Sequence, residues 1–261
     1  MKSVYTLLAI IGSVAVLSLP AAKGEAPTPL PPLDTVIQRV MQTSATENAD
    51  YHTFNQHYFY TRDKVTKFLD SSGAVKEREE NESTNNPIPS PKAFKPHPPA
   101  SRHIYPKQAA TTEPANIHGV ALGKKEDLIN PDLVKRLNLT MVDREMINGR
   151  PTLVVDFKPV SNDLPVFNIK DRVINSIAGR AWIDEQDYQL EKAELHLTQK
   201  LTVLGGIVGS VSRFTFSFER DRTPDGYWYT RSLNWHLEAH EATVPRVVDH
   251  TEEVSDLQKI R

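Results

Sequence analysis

The chain has 261 residues, 31 Lys and Arg against 33 Asp and Glu, 39% hydrophobic residues and no cysteine. The absence of cysteine excludes disulfides, thiolate metal centres, a lipid-anchoring cysteine and a cysteine nucleophile, so stability has to come from a packed core. The slightly acidic balance leaves no electrostatic footprint for nucleic acid or for anionic headgroups.

At the N-terminus, Lys2 precedes an apolar run from Val4 to Leu19, and small residues follow at Ala22, Gly24 and Ala26. This is the pattern of an export signal over 1–24, cleaved near Gly24 or Ala26, and the run is shorter than the roughly 20 residues a hydrocarbon core requires. An uncleaved anchor is the competing reading. Cleavage removes Lys2 and Lys23, leaving about 235 residues and a net charge near −4. The expected location is the periplasm or the medium, with no integral membrane segment after processing.

Residues 25–32 form a Pro-rich spacer, and Leu33 to Met41 then repeats apolar residues at helical spacing, with Val36, Ile37 and Val40 on one side. Tyr51 to Tyr60 alternates and is rich in aromatics, which predicts a strand. Val65–Leu69 and Val75–Glu80 flank Asp70-Ser-Ser-Gly73 and predict a hairpin with Gly73 at positive φ. Residues 87–114 hold eight prolines and few apolar residues, so a Pro-rich loop over 84–117 interrupts a single domain spanning 33–254.

Order returns with Asn130-Pro131, which opens a short helix. Asn148-Gly149 joins the strands Leu139–Ile147 and Thr152–Lys158. Asn168 to Ala178 places Ile169, Val173, Ile174 and Ile177 on one helical face, with Gly179 set to end it. The remainder reads as strands: Arg180–Ile183, a long run Gln189–Leu204, Val211–Arg220, Tyr227–Glu238 and Ala242–Val254, then a tail at 255–261. The fold class is mainly β (α+β), a curved antiparallel sheet forming an incomplete β-barrel with helices plugging its concave face.

The stretch Asn148-Gly-Arg-Pro-Thr-Leu-Val-Val-Asp-Phe-Lys-Pro159, followed by Gly179-Arg-Ala-Trp-Ile-Asp184 and Leu190-Glu-Lys-Ala193, resembles the outer-membrane lipoprotein-sorting, LolA/LolB-like families. The resemblance covers 33–80 and, better, 122–254. It implies a half-barrel over an apolar cavity that holds a lipid or a lipoprotein acyl chain, with an envelope protein as a possible partner. By that resemblance Leu153, Val155, Phe157, Leu195, Leu197, Phe214, Phe216, Phe218, Leu233, Trp235 and Leu237 line the cavity. Val36, Ile37, Val40, Ile169, Val173, Ile174 and Ile177 then belong to plug or lid helices. The alternation itself fits an open cavity and a filled core equally.

No catalytic residues, cofactor or metal are expected. His236 and His240 have the spacing that chelates zinc on a helix, but on a strand they stand about 13 Å apart. The glycines at 205, 206 and 209 precede a strand, not the helix N-terminus that a phosphate cradle needs. No Gly-x-Ser-x-Gly elbow is present. The leading expectation is a carrier of an apolar ligand; the alternative is a sensor or docking module with a filled core.

Overall fold

The computed structural model describes residues 29–88, 131–161, 164–165, 169–203, 209–241 and 244–260. The export signal and its cleavage site, nearly all of the Pro-rich loop and the Gly205-Gly206 turn lie outside these residues.

The sheet is antiparallel throughout. In chain order its strands are β1 (Tyr58–Leu69), β2 (Val75–Asn85), β3 (Leu137–Ile147), β4 (Arg150–Pro159), β5 (Ile177–Asp184), β6 (Leu190–Leu197), β7 (Leu201–Val203), β8 (Gly209–Arg222), β9 (Trp228–Glu241) and β10 (Val244–Lys259). The spatial order is β2-β1-β10-β9-β8-β6-β5-β4-β3, with β7 attached to β8. The ends β2 and β3 are edges, so the sheet does not close, and the expected incomplete barrel is what the chain forms. The helices are α1 (Leu33–Ser44), α2 (Glu47–His57), α3 (Pro131–Arg136) and α4 (Ile169–Ile174).

Turn chemistry fixes the register. Asn148 and Gly149 both take positive φ, 49° and 77°, as a two-residue hairpin turn with right-handed twist requires. Gly226 does the same at the β8–β9 turn, with φ 100°.

Four expectations are corrected. Tyr51 to His57 is helical, because Tyr51 and Phe54 also stand at the i, i+3 spacing of one helical face. Burial decides in favour of that reading. Phe54 is 1% exposed and stacks on Tyr58, Tyr60 and Tyr229 with ring centroids 5.0, 5.5 and 5.4 Å away. The α4 helix stops at Ile174, so Ile177 is not on a lid helix; it pairs with Leu197 inside the sheet. Gly179 does not cap a helix but faces Leu195 across β5–β6. The run Gln189–Leu204 breaks in two at 198–200, where the Thr198 amide and hydroxyl turn aside to donate to the Ser176 carbonyl at 2.7 and 3.1 Å. In addition, β10 continues through the expected tail to Lys259, which pairs with Tyr58.

The two faces of the sheet differ in chemistry. The row Met141, Val155, Ala181, Ala193, Phe218 and Leu233 runs strand to strand through direct pairs, and the row Leu139, Phe157, Gly179, Leu195, Phe216 and Trp235 lies beside it. These belong to the helix face. There α1 buries Val36 and Val40 against Leu153, Val155 and Ile183, and α2 buries Phe54 among Tyr58, Tyr60 and Tyr229. Alternation then sends Thr140, Asp156, Arg180, Glu194, Ser217, Asn234 and Thr251, another unbroken paired row, to the opposite face.

Candidate functional site

Among the described residues, two of the cavities lie against the sheet. The apolar one is a cleft of about 610 Å³ between α1 and β3. Leu33, Ile37 and Met41 of α1 form one wall; Leu137 and Leu139 of β3, with Val134 and Val160, form the other. Helical spacing explains the α1 wall: Val36 and Val40 point into the core, so Leu33, Ile37 and Met41 fall one position to the side and stay half-buried. Asp34, Gln38 and Asn138 are the polar groups at its border. The size and the apolar lining with a few polar groups match ordinary small-ligand sites.

The larger cavity, about 1110 Å³, is a trough across the sheet from Asn138 on β3 to Lys67 on β1. Its side chains are mostly polar. Asp156 and Arg180 form a two-pronged ion pair at 2.6 and 3.0 Å, which holds the Asp156 carboxyl below its usual range. Lys192 pairs with Glu194 at 2.8 Å, and His236 Nδ1 lies 2.6 Å from Asp249. The Trp182 indole donates to Glu145 at 3.0 Å, while the Lys192 ammonium sits 4.6 Å from its ring centre.

The residues expected to line an apolar cavity divide among several places. Leu153 and Val155 are sealed in the core beneath α1. Leu237, with Phe214 and Trp235 packed against it, joins a cluster with Val248 and Ala239. Phe157, Leu195 and Phe216 sit in strand positions that alternate with the residues of the polar trough, so their side chains belong to the helix face. Leu197, Phe218 and Leu233 are half-buried on the helix face. Of the expected plug residues, Ile37 reaches the apolar cleft and Val36 and Val40 the core. In α4, Ile174 is buried and Val173 half-buried, and the Ile169 side chain lies outside the described set. Sequence reasoning missed the cleft wall at Leu137, Leu139 and Val160, which exists only where α1 is laid against β3. It also missed the polar trough, since Asp156, Arg180, Glu194, Ser217, Asn234 and Thr251 form a row only through the strand register.

His236 is occupied by Asp249 and does not approach His240 as a ligand pair; among the described residues no group of three or more His, Asp or Glu could hold a metal. Among the described residues no helix is long and apolar enough to cross a membrane.

No family model matches the chain, and no curated protein matches it in sequence. Solved structures do. A putative outer membrane lipoprotein-sorting protein domain from Vibrio parahaemolyticus is 12% identical, with 86% of this chain and 93% of that one covered and a TM-score of 0.33. A DUF1329 family protein from Desulfovibrio piger is 9% identical over 88% and 94%, with a TM-score of 0.34. A LolA superfamily protein from Nitrosomonas europaea is 11% identical over 86% and 93%, with a TM-score of 0.30. At these identities and scores the likeness carries nothing about ligand or partner.

Proposed function

We propose that the protein is a non-enzymatic binding protein of the cell envelope that shelters an apolar group, a lipid or a lipoprotein acyl chain, in the cleft between α1 and β3. One observation carries the reading: seven of the ten residues around that cleft are apolar, and they remain partly open to solvent in a protein that has buried its other α1 contacts. Withdrawing such a surface from water by ligand binding is favourable by about 25 cal/mol per Å². The export signal read from Lys2 to Ala26 supports the periplasmic location.

The test is native mass spectrometry of the mature protein purified from its own periplasm, with titration of a fluorescent fatty acid. The expected result is a stoichiometric lipid or a saturable uptake that Ile37→Asp and Met41→Asp abolish while leaving the circular dichroism unchanged. A clean apo mass with no uptake by the parent protein overturns the reading.

A second reading, docking of an envelope protein through a sheet edge, is favoured by β2. Ten of its eleven residues are exposed, and it is held on one side only, by β1. Such an edge is a template for an added strand.

A further inference from the structure

We propose that the polar trough is a second binding site, which takes a neutral polysaccharide chain lying across the strands. This goes beyond the apolar cleft and does not rest on it.

Charge comes first. The lining contains three cationic side chains, Lys67, Lys158 and Arg180, and three carboxylates, Asp156, Glu194 and Asp249. All three carboxylates are engaged at short range, by Arg180, Lys192 and His236 respectively. With three cationic side chains against three carboxylates the lining exerts no net pull on a strongly charged ligand, and a cation could bind only by breaking the existing pairs. What the trough offers instead are hydroxyls and an amide on three adjacent strands, Ser217, Asn234 and Thr251, with Thr140 at the far end of the same row beyond Glu194, Arg180 and Asp156, and each of the four both donates and accepts.

Spacing decides between polymers. The row crosses the strands, so its polar groups recur at the strand separation, about 4.8 Å. One pyranose unit of an extended, equatorially linked glycan spans close to that distance, and because successive units turn over, its same-side groups meet every second strand. An extended peptide advances about 3.3 Å per residue and repeats its same-side groups at about 6.7 Å, which drifts out of step within two strands. The cavity volume of about 1110 Å³ accommodates several sugar units rather than one.

The probes are chito- and cello-oligosaccharides of two to six units, titrated calorimetrically into the full mature chain, with fatty-acid uptake measured on the same samples. Affinity is expected to rise with each added unit and to change less than twofold between low and high salt. Asn234→Leu or Thr251→Val is expected to weaken the hexamer about tenfold, the loss of one or two hydrogen bonds, with fatty-acid uptake intact. Thr251→Val is nearly isosteric and guards against a folding failure. No binding of either hexamer, affinity that does not depend on length, or insensitivity to both substitutions overturns the proposal, whatever the fatty-acid result.

Discussion

Arg220, only 3% exposed on β8, reaches across to Glu47 at the first turn of α2 at 2.7 Å. The guanidinium also donates to Gln189 Oε1 and to the Leu190 carbonyl at 3.1 and 3.2 Å, and its Nε is buried without a partner. Burial pulls the Arg220 pKa down and the Glu47 carboxylate pulls it up. This pair fastens the start of α2, just beyond α1, to the sheet. Glu47→Ala strands a buried cation and is expected to cost about 3 kcal/mol in urea unfolding. Replacing both partners, Glu47→Leu with Arg220→Met, is expected to cost much less, because no charge is left uncompensated. Equal losses in the two variants would refute this account.

Gly179 lies under the Phe157 ring. A Cβ there would stand 2.7 Å from Phe157 Cζ and 2.8 Å from Leu195 Cα, with the Glu194 carbonyl oxygen nearer still. The ring could swing away, but the β6 backbone cannot without loosening the ladder. Gly179→Ala is therefore expected to destabilise by about 1–3 kcal/mol, and adding Phe157→Leu is not expected to restore it. Thermal unfolding of the single and double variants measures this. A full rescue would mean that the ring, not the strand, sets the limit.

Glu252 accepts from His250 Nε2 at 3.2 Å and from Lys64 at 2.9 Å, and Arg62 stands 4.0 Å away. Led by the His250 hydrogen bond, these partners hold the carboxyl down at about 2. The Thr66 hydroxyl lies 2.8 Å from His250 Nδ1, so the chain of contacts closes with the ring proton on Nε2. A depressed folded-state pKa means the stabilisation is complete above the unfolded value, near 4.5, and is lost as pH falls through about 2. Glu252→Gln is expected to flatten the Tm-versus-pH curve between those limits and to lower Tm at pH 7. An unchanged acid limb would show that the carboxylate is not coupled to folding.

The sheet was legible in the sequence because its signals are local. Asn148-Gly149 and Asp225-Gly226 name their turns, and period-2 alternation in β8 and β9 names their faces. The helical run Tyr51–His57 was not legible, since its aromatics suit both periods and the choice falls to Phe54 stacking on Tyr229, 175 positions away. The same limit hid the polar trough. Ser217, Asn234 and Thr251 are unremarkable in their own strands and become a row only when register brings β8, β9 and β10 side by side. The wall of the apolar cleft likewise needs α1 laid against β3, a contact between segments about 100 residues apart.

Glu191 runs opposite to Glu252. It occupies the irregular step between Trp182–Lys192 and Ile183–Leu190, where the β5–β6 ladder shifts register, and is 2% exposed. Among the described residues its carboxyl receives neutral donors, the Thr152 hydroxyl at 3.1 Å and the Asn148 amide at 3.4 Å. Burial raises its pKa, and the neighbouring Asp184 and Asp221 add to the rise. A carboxyl whose folded pKa lies above the unfolded value costs stability as pH rises past the unfolded value, because the folded chain gives up its proton less readily. Glu191→Gln keeps an acceptor for Thr152 and removes the charge. The variant is expected to melt higher than the parent at pH 7 and alike near pH 4. A lower Tm at pH 7 would show instead that Arg150, which holds Asp184 in a buried ion pair at 2.5 Å and Asp187 at 3.1 Å, also depends on the Glu191 charge.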